Sequence, residues 1–302
     1  VCGCSDSFCT RQVIISATQN SLSVRQSMAL ASPNSFIILP ALPNFSLRGD
    51  ITHGGDSLAI AIAGTDSIVF LNLVTGATSS VKILPDAGFT EPVVVFNVRL
   101  TSDNKAFICG QRSENFYIYF SLWEYDLATG VQRRVTEVAA AGSLGATSEI
   151  ERSADGSHLL VLDGLNNCSS VYSAANGSFG LCRQAGHPIA AFPSATGNGD
   201  RWLLHAQLYD GTLAAIGPIV PGDPGPAALA RDGSVAYLST AYGYRVVRVS
   251  DGQELEKVRI PVGIPQRLAL LQGGQRMLVW TSGVGGGEYL VATDRLIVID
   301  LR

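Results

Sequence analysis

The sequence predicts an all-β protein built from repeated four-stranded antiparallel sheets, and three observations lead to this prediction. A polar turn followed by strand-forming residues recurs with a mean spacing of about 44 residues, which is typical of one four-stranded propeller blade. Apolar and polar side chains alternate in segments such as residues 96–100, as they do in half-buried strands. No segment combines a sustained helical period with a capping residue. The predicted architecture is therefore a β-propeller.

The composition of the chain excludes several classes of protein and of binding partner. The chain has 302 residues, of which 46% are hydrophobic, so a disordered chain is excluded. It carries 21 basic and 25 acidic residues, a net charge of −4, without a basic cluster. Because phosphate neutralisation needs concentrated lysine and arginine, we expect no nucleic-acid partner. The apolar runs are far shorter than the roughly 20 residues of a membrane-spanning helix, so no membrane span is predicted.

Two kinds of turn mark the repeat. The first contains Asp, Asn or Gly and precedes a strand-forming run, as in "SADGSHLLVL", "TSDNKAFICG" and "RDGSVAYLST". Its occurrences are marked by Asp56, Asn104, Gly156, Gly199, Gly233 and Gly274. The second turn follows in step, as in "WEYDLATGVQRRV" and "VYSAANGSFGLCR". Each unit then supplies the strands of one blade.

The number of blades and the closure of the ring follow from the ends of the repeat. Six units are visible, but the chain length favours seven blades over six. The last unit, "DRLIVIDLR", lacks an outer strand, which we expect residues 11–27 to supply. Strands from both termini would then close the ring and remove its open sheet edges. Residues 28–42 are assigned to a seventh, less regular blade, residues 1–12 to a cysteine-containing N-terminal segment, and residues 13–302 to a single propeller domain.

Two cysteines flank a predicted hairpin. In "CSSVYSAANGSFGLC" two strand-forming runs are joined by Asn176 and Gly177, a pair typical of two-residue turns in which both central residues have positive φ. Cys168 and Cys182 lie nearly symmetrically about this turn, which predicts a cross-strand disulfide. Two buried thiols are the alternative. A disulfide favours an extracellular or cell-surface location.

The other cysteines give less specific signals. Cys2, Cys4 and Cys9 are close enough in sequence for a second bridge. A zinc site is the alternative, although their spacing lacks the paired pattern of zinc ribbons. Cys109 lies in the apolar run "AFICG", so we expect it to be buried and inert.

Catalytic, cofactor-binding and metal-binding residues are not predicted at any position, and no cofactor is expected. The four histidines lie far apart in the sequence, without a His-x-x-x-His pair. A Gly-x-Ser-x-Gly elbow, which would indicate a hydrolase nucleophile, does not occur. A ring can still bring distant loops together at its channel, where His53 is the best placed of the four histidines.

Short motifs concern modification and recognition. Sequons for N-glycosylation begin at Asn44, Asn167 and Asn176. Residues 48–50 read Arg-Gly-Asp, a cell-adhesion tripeptide for which ordinary turn composition is the simpler explanation. Six aromatic residues crowd residues 116–125, where we expect packing between blades rather than a platform for carbohydrate.

Three segments resemble known propellers. "SADGSHLLVL", "ARDGSVAYL" and "YDLATG" resemble the S-x-D-G-x-x-L-x-V and D-x-x-T-G elements of YVTN-type and WD40-like β-propellers. The resemblance covers about residues 49–302. It implies the propeller architecture and leaves the activity open, because such propellers support unrelated functions.

The predicted function is that of a noncatalytic extracellular binding or assembly module. A rigid ring would present its loops to a protein or glycan partner, and residues 1–47 could mediate self-association by donating a strand to a neighbouring subunit. The alternative, implied by the resemblance, is a lactonase-like propeller hydrolase with a metal in the central channel. A redox propeller carrying a quinone is a third possibility, based on fold analogy alone.

Overall fold

The computed structural model describes residues 12–18, 21–28, 37–39, 47–51, 57–62, 65–72, 75, 77–85, 93–114, 117–138, 144, 148–164, 168–183, 193–204, 207–218, 225–260, 264–270, 276–282 and 295–301. Every element of regular secondary structure in these ranges is a β-strand, and there are 26 strands. The predicted all-β class is therefore confirmed.

The first three strands lie in the N-terminal region. Strands β1 (Gln12–Thr18) and β2 (Ser21–Met28) pair with each other as an antiparallel hairpin. Strand β3 (Ile37–Leu39) joins a sheet formed by the C-terminal strands.

Six four-stranded antiparallel sheets lie in the described ranges, and we number them in chain order. Sheet 1 contains β4 (Leu47–Ile51), β5 (Ser57–Ile62), β6 (Ser67–Asn72) and β7 (Thr78–Lys82). Sheet 2 contains β8 (Val94–Leu100), β9 (Lys105–Glu114), β10 (Tyr117–Asp126) and β11 (Gln132–Val135). Sheet 3 contains β12 (Glu149–Arg152), β13 (His158–Asp163), β14 (Cys168–Ser173) and β15 (Ser178–Phe179).

The remaining three sheets continue the pattern. Sheet 4 contains β16 (Pro193–Ala195), β17 (Arg201–Leu204), β18 (Gln207–Asp210) and β19 (Ala215–Pro218). Sheet 5 contains β20 (Ala227–Leu229), β21 (Val235–Thr240), β22 (Gly243–Arg248) and β23 (Glu254–Arg259). Sheet 6 contains β24 (Ile264–Leu270), β25 (Arg276–Ser282), β26 (Arg295–Asp300) and, beyond β26, β3. In sheets 1 to 5 the strands pair in chain order.

Sheet 6 joins the two ends of the chain. Its strand β26 pairs with β3, so that Ile297 lies opposite Ile38. The missing outer strand of the last unit thus comes from the N-terminal region, as predicted, but from residues 37–39 rather than from residues 11–27. The latter segment forms β1 and β2, which pair with each other in their own hairpin. The assignment of residues 28–42 to a separate blade is wrong for β3 (Ile37–Leu39), because this strand belongs to sheet 6. The number of blades stays a prediction.

Successive sheets pack through five apolar clusters, one for each neighbouring pair from sheets 1 and 2 to sheets 5 and 6. Trp123 of β10 packs with Ala59 and Ile68 of sheet 1. Trp202 of β17 packs with Leu160 of β13 in the same way. The innermost strands of successive sheets, from β4 through β8, β12, β16 and β20 to β24, also contact one another. This order of contacts is compatible with propeller blades.

One type of tight turn joins the first two strands of sheets 2 to 5. The same place in each turn is held by a residue with positive φ, namely Asn104 (62°), Gly156 (71°), Gly199 (72°) and Gly233 (69°). Glycine and, to a lesser degree, asparagine tolerate this left-handed region because the other residues meet a Cβ clash there. Four of the six sequence markers therefore identify one recurring turn, while Asp56 and Gly274 lie outside the described residues.

Backbone hydrogen bonds link these turns from one sheet to the next. The N–H of Ser102 in sheet 2 donates to the carbonyl of Gly156 in sheet 3 at 2.9 Å. The N–H of Asp155 donates to Gly197 at 2.9 Å, and Gly197 in turn donates to Arg231 in sheet 5 at 2.7 Å. The first turns of sheets 2 to 5 therefore lie at one end of the molecule, which we call the turn end.

The opposite end of the sheets carries a different set of connections between strands. Because neighbouring strands are antiparallel, the second strand of each sheet passes to the third strand at this opposite end. The fourth strand also finishes there, before the chain continues to the next sheet. We call it the loop end, since the longer connections, such as residues 136–148, start and finish at it.

Candidate functional site

A charged cluster lies on the innermost strands of three neighbouring sheets, where a propeller has its central channel. We call it the inner cluster, and its members are Asp50 on β4, Asn97 and Arg99 on β8, and Glu149, Glu151 and Arg152 on β12. Three carboxylates and two guanidinium groups are thus brought together from three sheets.

Arg99 bonds to two members of the inner cluster. Its Nη2 lies 2.9 Å from a carboxylate oxygen of Glu151, and its Nη1 donates to the side-chain oxygen of Asn97 at 2.9 Å. The Arg99 side chain is only 8% exposed. Burial alone lowers the pKa of Arg99, but the charges of Glu151 and Asp50 outweigh it, so the pKa lies above its ordinary value. The guanidinium therefore stays charged in a buried place.

Arg152 forms the second ion pair of the cluster. Its Nε donates to the carboxylate of Asp50, which also accepts a hydrogen bond of 2.8 Å from the N–H of Leu100. Asp50 thereby ties β4 of sheet 1 to β8 of sheet 2 and to β12 of sheet 3. Buried charges are tolerated only when they are paired in this manner, so the inner cluster cross-links the three sheets.

The arrangement of the inner cluster does not suit a divalent metal ion. The carboxylates of Asp50 and Glu151 already hold guanidinium groups, so the protein's own side chains supply the positive charge. Within the part of the chain that the structure describes, no group of three or more His, Cys, Asp or Glu side chains is arranged to hold a metal.

The inner cluster was not predicted from the sequence because its members are distant in the chain. Arg99 and Glu151 are 52 residues apart, and Asp50 and Arg152 are 102 residues apart. One signal was available, since charged residues recur on the first strands of the first three units. That signal has meaning only once the first strands are known to be innermost.

The Arg-Gly-Asp tripeptide of residues 48–50 lies in a strand. Strand β4 pairs with β5, and the side chain of Asp50 is only 12% exposed and is bonded to Arg152. A ligand for an adhesion receptor needs an accessible carboxylate. This geometry therefore disfavours the adhesion hypothesis.

The predicted disulfide between Cys168 and Cys182 is present. The Cα atoms are 5.5 Å apart, and the bridge closes a sequence separation of 14. Beside it, Ser169 and Arg183 exchange two backbone hydrogen bonds of 2.8 Å. Because β14 begins at Cys168, the bridge lies at the loop end and holds the start of the connection from sheet 3 to sheet 4.

The hairpin loop between these cysteines differs from the predicted two-residue turn. Ser173 pairs with Ser178, so residues 174–177 form the loop. The N–H groups of Asn176 and Gly177 both donate to the carbonyl of Ser173, at 3.2 Å and 2.9 Å. Only Gly177 has a positive φ, 62°, so the prediction of positive φ at both central residues is wrong. A longer loop of this kind needs one left-handed residue instead of two.

The other residues singled out in the sequence fall into two groups. Those outside the described residues are Cys2, Cys4, Cys9, Asn44, His53, Asn167, His187 and His205. In the described part, Asn176 is exposed in its hairpin loop, and Cys109 is buried, as predicted. His158 lies beside Ser157, whose Oγ is 2.9 Å from its Nδ1.

The aromatic segment packs as predicted where its side chains are described. Trp123 is buried between sheets 1 and 2, and Tyr125 packs against the same cluster. Phe120 faces the cluster between sheets 2 and 3, where its ring meets that of Phe96 edge-on at 5.9 Å. These three rings therefore form part of the core.

Comparison with known proteins names no family for this chain. No protein-family model and no curated protein matches it. Among the described residues, no helix has the length and apolar character needed to cross a membrane.

Proposed function

We propose that the six sheets are the blades of one closed β-propeller, and that this ring is a noncatalytic binding or assembly module outside the cell. The partner is a protein or a glycan. The disulfide between Cys168 and Cys182 supports the extracellular location, because reducing compartments rarely preserve such bridges. The resemblance of the sequence to YVTN-type and WD40-like propellers supports the ring.

The chain connection between sheets 6 and 1 supports closure of the ring. Strand β3 ends at Leu39 in sheet 6, and β4 begins at Leu47 in sheet 1. The intervening chain spans at most roughly 28 Å, so these two sheets must be close to each other. This connection runs from an outermost to an innermost strand, as it does between the other sheets. Six blades, one fewer than the number favoured from the chain length, account for the four-stranded sheets of the described ranges.

The single observation that carries the binding function is the internal pairing of the inner cluster. A catalytic acid, base or nucleophile must reach a substrate, whereas Arg99, Glu151 and Asp50 are engaged with partners inside the protein. The centre of the ring thus acts as a cross-link. We therefore expect the partner to bind at the surface, and above all at the loop end, where the longer connections between sheets lie.

Sedimentation velocity on the full chain, from micromolar to near-millimolar concentration, tests the assembly version. We expect concentration-dependent association that Leu181→Ser weakens, because Leu181 is an 86% exposed apolar residue at the loop end. The matched control is Val131→Ser, which alters a 63% exposed apolar residue at the turn end and should leave association unchanged. A chain that stays monomeric throughout contradicts this version of the proposal.

The lactonase-like hydrolase is the competing proposal. It requires a metal held by the blades, whereas the carboxylates of the inner cluster hold arginines. Elemental analysis of the purified protein separates the two proposals. A stoichiometric divalent metal whose removal abolishes hydrolysis of a lactone would favour the hydrolase, and a substoichiometric content would exclude it.

A further inference from the structure

A groove of about 630 Å³ lies at the loop end of sheet 5, on its outer side. We call it the Tyr242 groove, and its lining residues are Thr240, Ala241, Tyr242, Lys257, Val258 and Arg259. It forms between the β21–β22 hairpin and the last residues of β23. The N–H of Ile260 donates to the carbonyl of Tyr242 at 3.0 Å and so fixes the hairpin against the end of β23.

Three cations share the face of sheet 5 that borders this groove. Arg245 lies opposite Lys257 in the strand register, and Gly243 lies opposite Arg259. The alternate residues Tyr244 and Val258 pack toward sheet 6. Because successive side chains point to opposite faces of a sheet, Arg245, Lys257 and Arg259 point away from sheet 6 and toward sheet 4.

The acidic side chains that the structure describes near this basic face do not bind its three cations. Within the described residues, none of the three cations forms an ion pair. Glu256 lies opposite Val246 in the strand register, on the face that packs toward sheet 6. Glu254 lies opposite Val247 on the basic face, but it forms no ion pair with these cations among the described residues. On sheet 4, Asp210 accepts its hydrogen bonds from Thr212 and Ala214 within its own turn.

Arg245 also has a polar atom without a partner. Its Nε is buried and finds no hydrogen-bond acceptor in the described part of the chain. A buried N–H without an acceptor costs free energy, and the cost is greater when the group is charged. A ligand that brought an oxygen acceptor to this face would satisfy it.

Tyr242 gives the groove an exposed aromatic ring. The ring is 70% exposed, which is unusual for so large a side chain, and the Arg259 guanidinium lies 6.0 Å from its centre. The next residue, Gly243, is required by close packing, because a Cβ at that position would lie 2.0 Å from the carbonyl oxygen of Val258. Gly243 thus lets the hairpin that carries Tyr242 pack closely against β23.

We propose that the Tyr242 groove binds acidic sugars, that is, glycans that carry sulfate or carboxylate groups. Lys257 and Arg259 would pair with the anionic groups, and the exposed ring of Tyr242 would stack on the apolar face of a sugar ring. An anionic ligand is favoured because the protein as a whole is acidic, yet this face gathers three cations that form no ion pair within the described residues. This inference rests on the proposed binding function and names its ligand class.

Titration calorimetry with size-matched oligosaccharides tests the proposal on the full chain. The probes are a heparin-derived oligosaccharide (sulfated), a hyaluronan oligosaccharide (carboxylated) and dextran (neutral). We expect at least one acidic probe to bind and dextran not to bind. Binding should weaken about tenfold in the double variant Lys257→Gln/Arg259→Gln, and by a similar factor in Tyr242→Ala. It should also weaken as salt is added.

The control is Arg248→Gln, which removes one positive charge, against two in the double variant, from β22 at the turn end, away from the groove. Equal loss of affinity in this control, or binding that the groove variants leave unchanged, would overturn the proposal. Binding of a single-stranded DNA oligonucleotide as tightly as heparin would also overturn it, since the groove would then select charge alone. If no acidic probe binds, the inference fails while the sedimentation test of association still stands.

Discussion

At the scale of single residues, the stability of the fold depends on charges that are largely buried in pairs. Arg99 and Arg152 hold carboxylates from the innermost strands of three sheets. Such pairs contribute little net free energy compared with an apolar core, but removal of one partner leaves the other buried and unpaired. The inner cluster should therefore be intolerant of single substitutions.

Arg99→Leu should lower the free energy of unfolding by about 3–5 kcal/mol, because Glu151, whose side chain is only 23% exposed, would lose its cation. Arg248→Leu is the control, since its ion pair with Asp251 joins side chains that are 44% and 50% exposed. We expect this control to cost less than about 1 kcal/mol. Urea denaturation measures both values, and equal losses in the two variants would contradict a structural role for the inner cluster.

The carboxylate of Asp155, which lies in a turn, should make the stability of the fold decrease at acidic pH. Burial alone raises the pKa of Asp155, but hydrogen bonds from Ser153 and Ser157 outweigh it and hold the pKa below its ordinary value of 3.8. The charged form therefore stabilises the fold at pH values above about 4, and this contribution is lost as the pH falls through the lowered pKa. The same sign applies to Asp210 and Asp232, whose pKa values are lowered first by backbone hydrogen bonds.

Asp155→Asn tests this dependence. The variant should be about 1 kcal/mol less stable than the unchanged protein at neutral pH, because hydrogen bonds to a charged acceptor are stronger than those to a neutral one. The difference should shrink as the pH is lowered below about 4. Denaturation curves across this range measure it, and a difference that is independent of pH would count against the ionised carboxylate as the cause.

At the scale of elements, the recurring turn could be predicted from sequence and the hairpin loop could not. Gly156, Gly199 and Gly233 occupy one position because local backbone geometry demands a positive φ there. The loop at Asn176 depends in addition on where Ser173 pairs with Ser178, which tertiary packing determines. The inner cluster was beyond prediction for the same reason, because only the packing of sheets brings Asp50 to Arg152.

The disulfide is the element-scale feature with the clearest energetic consequence. Cys168→Ala/Cys182→Ala should lower the free energy of unfolding by about 3 kcal/mol, since the bridge closes a loop of moderate length in the unfolded chain. Leu181→Ala is the control, because this neighbouring side chain is 86% exposed and its loss should be almost neutral. A double variant as stable as the control would show that the bridge contributes nothing to the fold.

At the scale of the whole molecule, the sequence repeat predicted the four-stranded sheets but not which strand completes sheet 6. Any strand-forming segment near the N-terminus satisfies the requirement for a fourth strand in sheet 6. In the structure β3 takes this place, while β1 and β2 pair with each other. A pattern of residues cannot rank such alternatives, because each pairing is locally acceptable.

Closure of the ring is the central claim, and a register-specific cross-link tests it most directly. Ile38 of β3 lies opposite Ile297 of β26, whereas Val298 lies opposite Ile37. The pair Ile38→Cys/Ile297→Cys should therefore form a disulfide on oxidation, detectable by peptide mapping, and should raise the melting temperature. The pair Ile38→Cys/Val298→Cys places its thiols on opposite faces and should not form one. Cross-linking of both pairs alike, or of neither, would contradict a ring joined through β3 and β26.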